Sequence, residues 1–160
     1  MSQAVVDRGR TDADLDGGRA RAARVGAVVA ILGMALVVYG AYGDSQANAS
    51  QKSAVPFLVV IVAVAAIVMF GLLAPMALRA VSSRSTSGRR WAIGLTVVSV
   101  LGLAVFWSGL PLIAGGAAAL VGRTGRDQGD VSKAFGAAWV LGLFAAGASI
   151  VVTIVGNALH

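Results

Sequence analysis

Four stretches of this sequence run for 18 to 32 residues without a charged side chain, and they span residues 25–42, 54–78, 91–122 and 134–156. A helix needs about 20 mostly apolar residues to cross roughly 30 Å of hydrocarbon. Because lipid offers no partner to backbone N–H and C=O groups, segments of this length must satisfy them within a helix. The sequence therefore predicts an all-α fold, a polytopic bundle of transmembrane helices.

The charged residues lie outside these stretches. The chain is 58% hydrophobic and only 12% charged, against about 25% charged in soluble domains. Its net charge of +6 comes mainly from Arg, and basic residues spread over short loops are typical of the cytoplasmic side of a membrane protein. We therefore expect the lipid bilayer as a partner, and no nucleic acid.

Two parts of the chain are distinguished by charge. Residues 1–24 hold five Arg and four Asp with few apolar residues, which predicts a disordered basic cytoplasmic tail. Residues 25–160 form the transmembrane domain. An alternative interpretation of the first apolar stretch is a secretory signal cleaved after Ala49. The predicted helical segments are 25–42, 54–78, 91–108, 110–122 and 134–156.

The third stretch is too long for one ordinary span, since 32 residues make a helix of about 48 Å. Gly109 and Pro111 favour a turn inside it. A hairpin there puts twelve basic residues on the cytoplasmic side and one outside, whereas a single long tilted helix gives nine and four. The positive-inside rule prefers the hairpin, so we predict four spans plus a short hairpin arm, with the N-terminus cytoplasmic.

Small residues recur at helical spacing in three of the apolar stretches. Such stripes let helix backbones approach closely in lipid. We expect the stripe in the last stretch to pack on another helix of the same chain. The stripes are Gly26 and Ala30, then Gly115, Ala119 and Gly122, then Ala138, Gly142 and Ala146.

Polar residues inside the apolar stretches are hydroxyls only. Ser and Thr in such helices usually donate to a carbonyl one turn earlier, which is the interpretation that we favour over a permeation pathway. The residues are Thr96, Ser99, Ser108, Ser149 and Thr153.

Residues suited to catalysis are scarce. The chain has no Cys, so it has no disulfide partner, and its single imidazole is His160 at the C-terminus. The run Ser85-Thr86-Ser87-Gly88 beside Arg84, Arg89 and Arg90 predicts a flexible basic loop, with a phosphorylation site or an anion-binding loop as the alternative. We therefore predict no catalytic residue, no cofactor-binding residue and no metal ligand.

Residues 91–156 resemble a widespread bacterial multi-pass membrane domain of unknown function, with a helical hairpin, a basic loop and a Gly-rich span. The matching parts run from Ile93-Gly94 to Leu101-Gly102, through Ser108-Gly109-Leu110-Pro111-Leu112 and Ala119-Leu120-Val121-Gly122-Arg123, to Phe135-Gly136 and Leu141-Gly142. This resemblance implies a membrane-embedded fold and no particular activity.

The absence of reactive groups at membrane depth guides the functional expectation. Coupled transport and intramembrane catalysis generally need an ionisable residue there. We expect a non-enzymatic accessory or interaction protein of the bacterial cell envelope, in the inner (plasma) membrane, which binds other membrane proteins or its own copies. A small permease or pore acting as an oligomer is the alternative.

Overall fold

The computed structural model describes residues 3–43, 49–83, 86–104, 109–130 and 132–159. These residues are almost entirely helical and include no strand, so the all-α prediction is confirmed. The elements are α1 (Gln3–Gly43), α2 (Ala49–Ala66), a π-helical segment (Ile67–Leu73), α3 (Ala74–Ser82), α4 (Thr86–Gly102), α5 (Leu110–Asp127) and α6 (Lys133–Ala158).

Three helical stretches are long and apolar enough to cross a membrane. They are Asp16–Gly43, Lys52–Ser82 and Lys133–Ala158. The first of these stretches begins inside the predicted tail. α1 is continuous from Gln3, and Ala22 within it is fully buried. Among the described residues, helical backbone therefore extends into the segment for which the sequence predicted a disordered tail. Ala and Arg, which are frequent in this segment, are among the strongest helix formers.

The second long helix contains two prolines and is continuous through both. α2, the π-helical segment and α3 follow one another without a break in helical backbone. Pro56 lies inside α2, beyond its first turn, because the helix begins at Ala49. Pro75 follows the π-helical segment directly, and the helix continues beyond it to Ser82. A proline cannot donate to the preceding turn and its ring crowds a carbonyl there, a conflict that the wider π turn relieves.

The third apolar stretch is a hairpin and not one long helix. α4 ends at Gly102, and α5 starts after Gly109, whose φ of +71° is accessible to glycine at little cost. Pro111 sits in the first turn of α5, where its missing N–H has no helical partner to lose. A Cβ atom at Gly102 would lie 3.5 Å from the Pro111 Cα atom, so the two helices are already in contact beside the turn.

The hairpin's second helix is longer than predicted and lies at the centre of the bundle. α5 has 18 residues, of which 12 are buried, and it contacts α1, α2, α3, α4, α6 and the π-helical segment. At about 1.5 Å per residue it is roughly 27 Å long. Since neighbouring helices cover it, the shortness that the sequence suggested for residues 110–122 does not expose it to lipid.

Glycine residues set the spacing between α5 and α6. A Cβ atom at Gly142 would lie 2.6 Å from the Gly115 carbonyl oxygen, and one at Gly115 would lie 2.5 Å from the Gly142 carbonyl oxygen. Gly122 meets the backbone of Trp139 and Phe135 in the same way. The predicted stripe on the last span therefore packs within the chain, as expected. Close backbone contact of this kind maximises van der Waals packing between helices.

α1 joins the bundle through the same type of contact. The ring of Phe70, in the π-helical segment, lies against Gly26 of α1, where a Cβ atom would be 2.5 Å from the Phe70 Cβ atom. The same ring reaches towards Gly116 of α5. Phe70 is itself buried, so this one aromatic side chain of the π-helical segment packs against both α1 and α5.

Candidate functional site

Basic side chains gather at one end of the bundle, which we call the basic end. Contacts between consecutive helices establish it: Gly88 of α4 lies against Val81 of α3, and Gly125 of α5 lies against Phe135 of α6. The basic residues at this end whose side chains the structure describes are Arg19, Arg21, Arg24, Arg79, Arg89, Arg90, Arg123, Arg126 and Lys133. Among the side chains that the structure describes, Lys52, next to the start of the second apolar stretch, is the one basic group at the opposite end.

An ion pair connects two helix termini at the basic end. The Arg89 guanidinium, in the first turns of α4, donates to the Asp130 carboxylate after α5 through Nε at 3.3 Å and Nη2 at 3.2 Å. The Asp130 Oδ1 atom also accepts from the backbone N–H of Ser132 at 2.9 Å, just before α6 begins. The hydrogen bond from Ser132 lowers the pKa of Asp130, and Arg89 acts in the same direction. Asp130 therefore stays ionised and links α4 to the α5–α6 loop.

Two more arginines at this end have partners on α5 or α6. The Arg126 guanidinium lies 5.0 Å from the centroid of the Trp139 ring, within the range of a cation–π contact. Arg123 and Asp127 are one turn apart, with 3.9 Å between Nε and a carboxylate oxygen. Arg123, Arg126 and Asp127 are all exposed, so both contacts lie at the surface of the basic end.

Arg90 faces a different environment. It lies at one end of a groove of about 560 Å³ between α4 and the π-helical segment, which we call the interfacial groove. Met69 and Leu73 form one wall, and Trp91, Gly94, Leu95 and Val98 of α4 form the other, with Ser87 beside Arg90. The groove is therefore apolar along most of its length and polar at the basic end.

Comparison with protein-family models, curated proteins and solved structures found no match for this chain.

Three hydroxyl groups in the apolar stretches donate hydrogen bonds to backbone carbonyls of their own helices. Thr96 donates to the Ala92 carbonyl oxygen at 2.7 Å, Ser99 to that of Thr96 at 3.1 Å, and Thr153 to that of Ser149 at 2.8 Å. The predicted bonding to a carbonyl one turn earlier is confirmed for these three. Ser108 lies outside the described residues.

The structure describes only some of the other residues that the sequence singled out. His160 and Ser85 lie outside the described residues, as do residues 44–48 next to the alternative cleavage position. Thr86, Ser87 and Gly88 form the first turn of α4, so the flexible loop predicted there is wrong for these residues. Across the described ranges, no three His, Cys, Asp or Glu side chains meet in a metal-binding group.

The interfacial groove and the Arg89–Asp130 pair were not predicted. The pair joins residues 41 positions apart. The groove lies between helices, and its lining residues other than Ser87 and Arg90 look in the sequence like any other apolar residues of a span. One signal was available: Ser87, Arg90 or Trp91, Gly94 or Leu95, and Val98 recur at spacings of three or four, and so share a helix face.

Proposed function

We propose that this chain is a non-enzymatic multi-pass protein of the bacterial inner membrane that acts by contacting other membrane proteins or further copies of itself. In this arrangement the three long helices and α4 cross the bilayer, and α5 returns through the middle of the bundle. The basic end faces the cytoplasm, together with the N-terminus.

The burial of α5 carries the proposal. A helix rich in Ala and Gly fills the centre of the bundle and is covered on all sides by the other helices. The bundle's accessible features are then its outer apolar faces, on which Phe57, Ile67 and Phe144 are each at least 64% exposed. Large exposed apolar patches mark membrane or protein contact sites.

The charge distribution supports the orientation. Of the basic side chains that the structure describes, nine lie at the basic end and one at the other. Cytoplasmic loops of membrane proteins carry this excess of Arg and Lys.

The alternative function, a small permease or pore, draws no support from the described hydroxyls. A pore formed by several copies would need polar side chains turned towards a shared lumen. Thr96, Ser99 and Thr153 instead donate to carbonyls of their own helices.

Site-specific photocrosslinking in cells tests the proposal. A photoreactive phenylalanine analogue replaces Phe57, Ile67 or Phe144 on the outer faces, and Phe135, which is 2% exposed, serves as the buried control. We expect discrete protein adducts from at least one outer position and none from Phe135. Lipid adducts alone from all three outer positions would contradict the proposal.

A second measurement separates the two functions. The purified chain in liposomes should pass neither ions nor small solutes above the background of empty vesicles. Solute flux that depends on the amount of protein would favour the permease or pore.

A further inference from the structure

We propose that the interfacial groove binds one phospholipid with an anionic headgroup, the headgroup at Arg90 and Ser87 and one acyl chain along Met69, Leu73, Gly94 and Val98. The proposal rests on the membrane placement proposed above, with the basic end at the level of the headgroups. It goes beyond general contact with the bilayer, because it assigns a single position and a headgroup charge.

The polar end of the groove supplies a positive charge at Arg90. Arg89 is held by Asp130, whereas Arg90 has no carboxylate within 4.0 Å among the residues whose side chains the structure describes. Ser87 lies one turn before Arg90 on the same face of α4, so its hydroxyl can add a hydrogen bond to a phosphate oxygen. A guanidinium with a hydroxyl beside it suits the phosphate and negative charge of an anionic lipid.

The apolar part of the groove matches one leaflet in length. From Ser87 to Val98 the face of α4 rises by about 16 Å at 1.5 Å per residue, and half of the hydrocarbon core is about 15 Å. Trp91 lies near the polar end, where indole rings favour the membrane interface. The volume of about 560 Å³ is within the range of ligand sites, roughly 300 to 1,000 Å³.

Two features keep the groove open. Gly94 has no atom within 4 Å of where its Cβ would lie, so the absent side chain leaves free space on the α4 wall. The opposite wall belongs to the π-helical segment, and π-helical turns occur frequently at functional sites. An anionic lipid matches the shape of the groove and the positive charge at its polar end. A second copy of the chain would instead bring the Arg side chains of its own basic end close to Arg90, where like charges repel.

Fluorescence of Trp91 reports occupancy directly. The full chain with Trp107→Phe and Trp139→Phe retains Trp91 as its one tryptophan, since the chain has three. It is reconstituted in phosphatidylcholine vesicles that contain a minor fraction of brominated phosphatidylglycerol or, in parallel, brominated phosphatidylcholine. We expect about fivefold tighter apparent binding of the phosphatidylglycerol, equivalent to about 1 kcal/mol for one basic residue near an anionic lipid.

Matched variants test the two halves of the site. Arg90→Ala should abolish the preference for phosphatidylglycerol, whereas Arg21→Ala, an exposed arginine on α1, should leave it unchanged. Gly94→Leu should fill the groove and abolish the part of the Trp91 quenching that comes from lipid bound in it, for brominated phosphatidylglycerol and brominated phosphatidylcholine alike. Gly147→Leu, on the open face of α6, adds the same side chain with no atom within 4 Å of its Cβ position and should have no effect.

Native mass spectrometry of the unmodified sequence provides a measurement that needs no tryptophan replacement. The chain should retain phosphatidylglycerol in preference to phosphatidylcholine, and Arg90→Ala should lose that preference.

Four results would overturn the proposal. Equal binding of both lipids would refute the assignment of the headgroup site. Unchanged quenching in Gly94→Leu would refute the assignment of the acyl-chain site. Neither result would contradict the proposed function. Efficient crosslinking between copies through Gly94→Cys but not Gly147→Cys would assign the groove to a second copy. No quenching of Trp91 by any brominated lipid would contradict the membrane placement itself.

Discussion

Replacing Gly142 by leucine tests what holds the centre of the bundle together. Gly142 faces backbone and not flexible side chains: a Cβ atom there would lie 2.6 Å from the Gly115 carbonyl oxygen and 2.7 Å from the Ala119 nitrogen. An ordinary contact for a Cβ atom is 3.4 to 4 Å. α5 and α6 would therefore have to separate by roughly 0.8 Å for the first carbon alone, from 2.6 to 3.4 Å, and further for the rest of the side chain.

The expected cost follows from overpacking a close-packed interface. Such insertions destabilise by about 1 to 3 kcal/mol, and the rigid backbone on both sides places Gly142→Leu near the upper limit. Gly147→Leu is the matched control, because its side chain enters open space. Replacing glycine in a helix also favours the helix by up to about 1 kcal/mol, so Gly147→Leu should be neutral or slightly stabilising.

Denaturant unfolding in detergent, followed by circular dichroism, measures both variants against the wild type. A smaller substitution refines the result: Gly142→Ala should already lower the free energy of unfolding, since the Cβ atom itself clashes. If Gly147→Leu were the more damaging change, or Gly142→Ala were neutral, the assignment of the packing face of α6 would be wrong.

Three further predictions concern topology, the N-terminal segment and pH. A reporter fused within residues 123–133 should read as cytoplasmic and one fused after His160 as extracytoplasmic, and the reverse at both sites would refute the proposed orientation. Deleting residues 1–18 should leave thermal stability in detergent unchanged, whereas Ala22→Leu should lower it because Ala22 is fully buried. The pKa of Asp130 lies below its ordinary value of 3.8, so its ion pair contributes fully above that pH and is lost as the pH falls through the lowered value. Asp130→Asn should therefore lower the melting temperature at neutral pH, and the difference from the wild type should vanish in stronger acid.

The helical class and the position of the main turn could be predicted from local sequence. Uncharged stretches of 18 to 32 residues leave few alternatives to helices, because buried or lipid-exposed backbone must satisfy its own hydrogen bonds. Gly109 and Pro111 located the hairpin, since each has a conformational preference that acts within a few residues of the chain. Gly142 between two alanines likewise marked the packing face of α6.

Tertiary packing, by contrast, determines which apolar residues face protein and which face outwards. A helix in lipid is apolar on both faces, so hydrophobic periodicity cannot distinguish the protein-facing residues from the lipid-facing ones. No local sequence feature predicts that other helices cover α5 on all sides. The Arg89–Asp130 pair and the interfacial groove depend on residues brought together from distant parts of the chain. Local sequence fixes helices and turns through backbone geometry, whereas the groove exists because three-dimensional packing places an open face of α4 beside a π-helical turn.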